Sequence, residues 1–253
     1  MFQLNIADGV ASLLLDRPPV NAMNDAWVAE FHALLDRIEA RTDVAVLHLR
    51  SGLRVFSAGA DLAQMRDRFS EAGLAPQLDS IRGYQRLFAR IEAMGLVSLA
   101  EIGGAALGGG FELALACDLR IAAAEARMGL PELRLGLLPG AGGTQRLTRL
   151  AGRAVSLRLI LGAETPTGAE AAQLGLVQWA VPGAELPARA AALAAHYAAL
   201  PAHAARAAKA CIAAAATPGV GGFEAEITAT SALLQSAATR ALVGAFLQRS
   251  QPA

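Results

Sequence analysis

The stretch Gly103–Arg146, GGAALGGGFELALACDLRIAAAEARMGLPELRLGLLPGAGGTQR, decides how the chain is read. Three consecutive glycines, Gly108 to Gly110, follow a short apolar run and precede FELALAC, which predicts a tight turn opening onto a buried helix. Such a turn brings bare backbone N–H groups against a ligand. The partial positive charge at the helix start favours an oxygen that gains negative charge during a reaction. Glu112 falls in the first turn of that helix, and Glu132, in GLPEL, precedes a second glycine cluster at Gly140 to Gly143. Two carboxylates in an apolar pocket raise one another's pKa and share protons, as acid and base work near neutral pH requires. From these residues alone, a helix-start glutamate and a capping glutamate are an equally good reading.

With 253 residues and 54% hydrophobic content, the chain can bury a large core in one domain or in one domain with an appendage. Its 22 basic and 22 acidic residues cancel, which argues against a broad nucleic-acid or anionic-membrane surface. Lys209 is the single lysine, so contacts to phosphate fall to arginine. Cys117 and Cys211 lack partners at metal spacing and read as thiols in a reducing compartment. MFQLNIADGV lacks the pattern of a secretory signal, and no apolar segment reaches membrane-spanning length without charge, so the cytoplasm is expected.

Working outward, FQLNIA and VASLLLD flank Asp8-Gly9, a type I′ hairpin signal. Asn24 or Asp25 caps a helix whose Trp27, Phe31, Leu34, Leu35 and Ile38 share one face, and Val44–Arg50 reads as a buried strand. A second amphipathic helix is predicted from Asp79 to Met94, before strand LVSLAEI. This alternation predicts an α/β layered domain. Glycine turns at Gly52–Asp61 and Gly103–Gly110 follow strands, giving two expected sites of ligand approach. After Gly143 the chain is mostly helical, and a boundary falls near residues 195 to 200. The last helices carry Phe223, Ile227, Leu233, Leu234 and Leu242 to bury, against a neighbouring subunit or back over a pocket.

Several chemistries are excluded. Gly140 and Gly142 begin a GxGxxG, but Gln145 holds its third glycine position, and no GK[ST] follows for a P-loop. There is no G-x-S-x-G, and His32, His48, His196 and His203 lie outside the glycine loops, which removes triad catalysis and a clustered metal site.

FSAGADLAQM (56–65), AALGGGFELALACD (105–118) and GLPELRLGLLPGAGGTQRLTRLAG (129–152), with the weaker RPPVNAM (17–23) and AAQLGLV (171–177), together resemble the enoyl-CoA hydratase/isomerase, or crotonase, superfamily over nearly the whole chain. The resemblance implies an α/β spiral of ββα units over residues 1–197, a helical trimerisation region over 198–253, and a homo-oligomer, a trimer or a dimer of trimers. It implies that Ala60 and Gly109 supply the two N–H donors of an oxyanion hole, that Glu112 and Glu132 are catalytic, and that Gly140 lies near the catalytic water. Ala58, Asp61, Leu62 and Met65 would bind substrate, with Phe69 and Leu74 over the acyl pocket. Arg54 stands where a lysine is common and could serve a CoA phosphate, and Leu130 stands where a polar residue is common, making the pocket drier. Gly103 and Glu101 also depart from the family pattern and read as structural variation. Gly109 must lack a side chain, whereas Gly110 need not face the substrate.

Members that retain both glutamates are hydratases; those that keep only the second are isomerases or other variants. The resemblance therefore implies hydration of a 2-trans-enoyl-CoA, syn across C2=C3, to a 3-hydroxyacyl-CoA in fatty-acid or related acyl-CoA degradation. The alternative is an enoyl-CoA isomerase or an aromatic acyl-CoA hydratase. CoA is part of the substrate, and no metal or other cofactor is expected. A few relatives bind RNA through lysine-rich helices; a single lysine and zero net charge speak against nucleic acid here.

Overall fold

Asp8 and Gly9 take φ of 50° and 78°, as a type I′ turn requires, and fold β1 (Phe2–Ala7) antiparallel onto β2 (Val10–Leu15). The computed structural model describes residues 1–215, 219 and 221–249. From β2 the chain runs through α1 (Asp25–Glu39), β3 (Val46–Ser51), α2 (Leu62–Arg66), α3 (Glu71–Ala93), β4 (Val97–Ile102), β5 (Ala106–Leu107), α4 (Gly109–Ala116), β6 (Leu119–Ala123) and β7 (Met128–Gly129). A 3-10 turn at Glu132–Leu135 leads to α5 (Gly143–Leu161), α6 (Gly168–Gln173), β8 (Trp179–Val181) and α7 (Leu186–Ala198).

The main sheet has the order β1-β2-β3-β4-β6-β8, parallel beyond the first hairpin. Beside it runs a second, interrupted layer: β5 pairs with β7, Ser57 bridges to Ala106, and Met23 bridges to Ala60. Each turn of the chain thus lays one strand in the main sheet, one short segment in the second layer, and then a helix. β3, the segment 57–60 and α2–α3 make one such turn; β4, β5 and α4 make the next; β6, β7 and α5 make the third. Strand ends of the second layer and helix starts therefore coincide three times, which is what assembles a site.

Asn24 caps α1 by accepting the Trp27 N–H at 2.9 Å, and the expected face of Trp27, Phe31, Leu34, Leu35 and Ile38 is buried. α3 starts at Glu71, eight residues before the expected Asp79, with Ser70 as its cap. Its first turns are mostly exposed and contain Pro76, so neither apolar periodicity nor propensity announces them.

Two compact units divide the chain, Met1–Ala199 and Leu200–Ala253. In the second, α8 (Ala202–Ala215) packs on α9 (Gly222–Gln235) and α9 on α10 (Ala237–Arg249). Within this one chain the residues expected to bury against a neighbouring subunit or over a pocket are open: Phe223 is 89% exposed, Ile227, Leu234 and Leu242 are exposed and Leu233 is half-buried. Three thin helices offer too little thickness to enclose them within one chain. Among the described residues, no helix is long and apolar enough to cross a membrane.

Candidate active site

The two glycine turns that read as separate approaches open on one cavity of 250 Å³. Ala58, Ala60, Leu62 and Met65 line it from one turn, Leu107 to Gly109 and Glu112 from the other. Pro131, Glu132 and the segment around Leu135 to Ala141 close a third side, and Gln77, Ile81 and Tyr84 of α3 a fourth.

Two backbone donors face each other here. The Met23–Ala60 bridge consumes the Gly59 carbonyl, which accepts from Met23 N–H at 2.8 Å, and the Asp61 N–H, which donates to the Met23 carbonyl at 2.7 Å. Alternation along the segment turns the Ala60 N–H away from that bridge. Gly109 is the first residue of α4, so its N–H has no partner within the helix. A Cβ placed on Gly109 would lie 3.5 Å from Ala60 N, so the two unpaired N–H groups are neighbours at the cavity wall. The RPPVNAM segment holds this arrangement in place. Buried Asn21 donates to Ser51 Oγ at 2.8 Å and to the Phe56 carbonyl at 3.0 Å, and Ser57 Oγ donates to the Asn21 carbonyl at 2.8 Å. Tyr84 Oη donates to the Met23 carbonyl at 2.8 Å.

The two glutamates line the same cavity as the donors. Glu112 is 3% exposed, and its Oε1 accepts the Gly143 N–H at 2.7 Å. Burial pushes its carboxyl up to about 7; the Gly143 N–H opposes that rise and the neighbouring Glu132 charge adds to it. Glu132, on the 3-10 turn after Pro131, is also raised by burial, and its Oε2 is buried without a hydrogen-bond partner. Its Oε1 lies 3.1 Å from where a Cβ on Gly108 would stand, which places this carboxyl against the glycine turn. Gly108 itself has φ 53° and caps α4 without a side chain. A carboxylate pair with unequal hydrogen bonding, set against two aligned amides, is equipped to move protons beside an oxygen that becomes negative.

A family model described as enoyl-CoA hydratase/isomerase matches residues 5–253. The chain belongs to that family. Bovine "enoyl-CoA hydratase domain-containing protein 2, mitochondrial" is 46% identical over 175 residues, 68% of this chain and 58% of the bovine protein, so the match spans less than two thirds of that relative. A "probable enoyl-CoA hydratase" of Bacillus subtilis is 44% identical over 190 residues, 75% of this chain and 72% of its own. The "2,3-dehydroadipyl-CoA hydratase" of Escherichia coli is 41% identical over 169 residues, 66% of this chain and 64% of that protein. Among solved structures, Pseudomonas aeruginosa DspI superimposes with a TM-score of 0.92 at 32% identity, covering 100% of this chain and 95% of that one. The enoyl-CoA hydratase of Bacillus anthracis gives 0.91 at 31%, covering 100% and 98%. The enoyl-CoA hydratase/isomerase fold, α/β with a helical C-terminal region, is thus shared over the full length.

Within this family member, the site residues drawn from the sequence divide. Ala58, Ala60, Leu62, Met65, Gly109, Glu112, Glu132 and Gly140 line the cavity; Arg54, Asp61 and Leu130 do not. Asp61 accepts from Ala63 and Gln64 N–H as the cap of α2 and pairs with Arg17 at 2.8 Å, which makes it a structural anchor. Leu130 is fully buried behind the wall, against Gly143 and so beneath Glu112, and cannot dry the pocket by contact with substrate. Arg54 is exposed on the surface. Gly140 lines the cavity, but its carbonyl accepts from Gln85 Nε2 at 2.7 Å, and the backbone that holds Glu112 comes from Gly143 and Ala141 instead.

Arg146 was not singled out from the sequence. It donates to the Ala141 carbonyl at 3.0 Å and pairs with Glu92 at 3.0 Å, clamping the loop that offers Gly143 N–H to Glu112. Its spacing three residues after Gly143, one helical turn, was the available signal. Glu101, which reads as variation, lies 2.8 Å from His48 in a buried pair. Among the described residues, no group of three or more His, Cys, Asp or Glu could hold a metal ion.

Proposed function

We propose that this protein hydrates 2-trans-enoyl-CoA thioesters to 3-hydroxyacyl-CoA. The observation that carries the reading is the convergence of both glutamates and the paired Ala60 and Gly109 N–H groups on one cavity. Water attack at C3 pushes electrons through C2 onto the thioester oxygen, and two aligned amides stabilise that oxygen in the transition state. Glu112, whose rise on burial is opposed by the Gly143 N–H it accepts, takes a proton from the water as its oxygen bonds to C3. Glu132, raised by burial and with one oxygen unpaired, delivers a proton to C2. One water is added, one carboxyl gains the proton the other loses, and exchange with solvent resets the pair. The chemistry draws on no metal or redox group; the CoA moiety is a handle whose binding positions the reacting bond.

An isomerase moves a proton between two carbons and needs one carboxylate; a second one in the same cavity favours hydration. We also propose that the chain works as a homo-oligomer through the exposed apolar face of α9 and α10. The names of the bacterial relatives support an acyl-CoA substrate. The experiment is to follow crotonyl-CoA with the purified protein by loss of enoyl-thioester absorbance and to identify the product. 3-Hydroxybutyryl-CoA supports hydration, and unchanged crotonyl-CoA in the presence of active isomerisation of a 3-enoyl-CoA overturns it.

A further inference from the structure

One side chain of the cavity has no place in the hydration chemistry. Gln77 lines it from α3, and its Oε1 is buried without a hydrogen-bond partner. A buried amide oxygen left unpaired costs about 1–3 kcal/mol, so an amide retained there is explained by a ligand that satisfies it.

Its position along α3 says which part of a ligand that is. Gln77, Ile81 and Tyr84 follow one helix face into the cavity at i, i+4 and i+7. Tyr84 is tied to the Met23 carbonyl, beside Ala60 and the thioester-oxygen end. Ile81 packs over Gly140, its Cγ2 3.4 Å from where a Cβ would stand. Gln77 lies one turn farther out, about 10 Å along the helix from Tyr84. That is the reach of a medium-length acyl chain, beyond its reacting carbons.

The chemistry of the lining narrows the group further. Among the described residues no lysine, arginine or histidine lines this cavity, and the charged ones that do are Glu112 and Glu132. A chain ending in a carboxylate would bury that charge with no cation to pair it, whereas an unsubstituted chain leaves the amide unpaired. A hydroxyl both donates and accepts, and rotation of the amide about its soft terminal torsion brings either end to it. Resting on the hydratase reading above, we infer that the acyl pocket selects 2-enoyl thioesters whose chain carries an uncharged hydroxyl, alcoholic or phenolic, at its far end, with Gln77 as the specificity-determining contact.

The test compares three medium-chain 2-enoyl-CoA thioesters of equal length ending in methyl, hydroxyl or carboxylate, on the wild-type protein and on Gln77→Leu. Wild type is expected to prefer the hydroxyl tail over the methyl tail by roughly ten-fold or more in kcat/KM, expressed mainly in KM. Gln77→Leu should abolish that preference by weakening the hydroxyl tail and improving the methyl tail. Calorimetric binding of the saturated CoA thioesters with the same three tails reads the same preference without turnover. It therefore separates failure of this inference from failure of hydration, which crotonyl-CoA and wild type test on their own. A wild-type preference for the methyl or carboxylate tail, or an equal loss on all tails in Gln77→Leu, overturns it.

Discussion

Glu112 Oε1 sits 2.7 Å from the N–H of Gly143, the first residue of α5, so a helix start points at one of the two cavity carboxylates and not at Glu132. That bond favours the ionised form of Glu112. Glu132 has an oxygen with no partner at all. The difference assigns base and acid. Glu112→Gln and Glu132→Gln are each expected to lower kcat for crotonyl-CoA roughly 10²-fold or more, with KM changed little, because neither carboxyl holds the CoA handle. Steady-state kinetics on both variants checks this, and turnover within a few-fold of wild type in either removes that residue from the mechanism.

The same burial makes Glu112 a cost to the fold. Its carboxyl is raised from an ordinary 4.5 to about 7, so the stability it allows is full below pH 4.5 and is lost as pH rises through about 7. Such a rise corresponds to about 3 kcal/mol. Glutamine keeps an oxygen for the Gly143 N–H and carries no charge. Glu112→Gln should therefore gain on wild type between pH 5 and pH 8, and urea unfolding at both values measures the gain. A stability difference that does not move with pH would mean that burial does not raise this carboxyl.

His48 and Glu101 predict an asymmetry of the same kind. They lie 2.8 Å apart with side chains 7% and 10% exposed, in ion-pair range though out of line for a hydrogen bond. His48→Leu leaves a buried carboxylate alone and should cost about 3–5 kcal/mol. Glu101→Leu leaves a buried imidazole without its partner and should cost about 1–3 kcal/mol. The double leucine variant should recover most of either loss. Additive losses in the double-mutant cycle would show that the two side chains do not interact.

Much of this was legible in the residues, and the remainder has identifiable physical causes. The Asp8-Gly9 turn and the buried face of α1 are local, written in backbone preference and in helical spacing. The glutamates and glycines stood out as polar or bare positions in apolar sequence. That the loops at Ala60 and Gly109 form one site came from the family resemblance and not from the residues alone, because sequence order carries no record of a bridge such as Ser57 to Ala106. β5 and β7 have two residues each, too few to show a period. Leu130 and Asp61 sit within the right motifs, but a motif does not state which way a side chain faces. Gln77 escaped notice because it lies in the part of α3 with little apolar pattern.

The exposed face of α9 carries the oligomer prediction. Phe223, Ile227 and Leu234 fall at i, i+4 and i+11, on one side of the helix, and all are exposed in the single chain. Exposed side chains this large on one stripe mark a protein interface. Sedimentation should give a trimer or a multiple of it, and Phe223→Asp with Ile227→Asp should shift the distribution towards monomer. A wild-type monomer at micromolar concentration would end the argument.

The three glycines of the turn differ in what a methyl group would meet. A Cβ on Gly110 would strike the Ser57 carbonyl oxygen and come within 2.7 Å of Ser57 Cβ, so Gly110, which need not face the substrate, is a packing position against rigid backbone. A Cβ on Gly109 meets Met23 Cε, the free end of a flexible side chain that can swing aside, and otherwise lies 3.5 Å from Ala60 N. Gly109→Ala should therefore fold while placing a methyl between the two donors, and Gly110→Ala should lose stability. Loss of one oxyanion donor costs about 2.7–4 kcal/mol of transition-state stabilisation, a fall of roughly 10²–10³ in kcat. Thermal unfolding and crotonyl-CoA kinetics on both variants give the answer together. A folded Gly109→Ala that hydrates at the wild-type rate would mean that the thioester oxygen is held elsewhere, and the pairing of Ala60 with Gly109 would lose its chemical meaning.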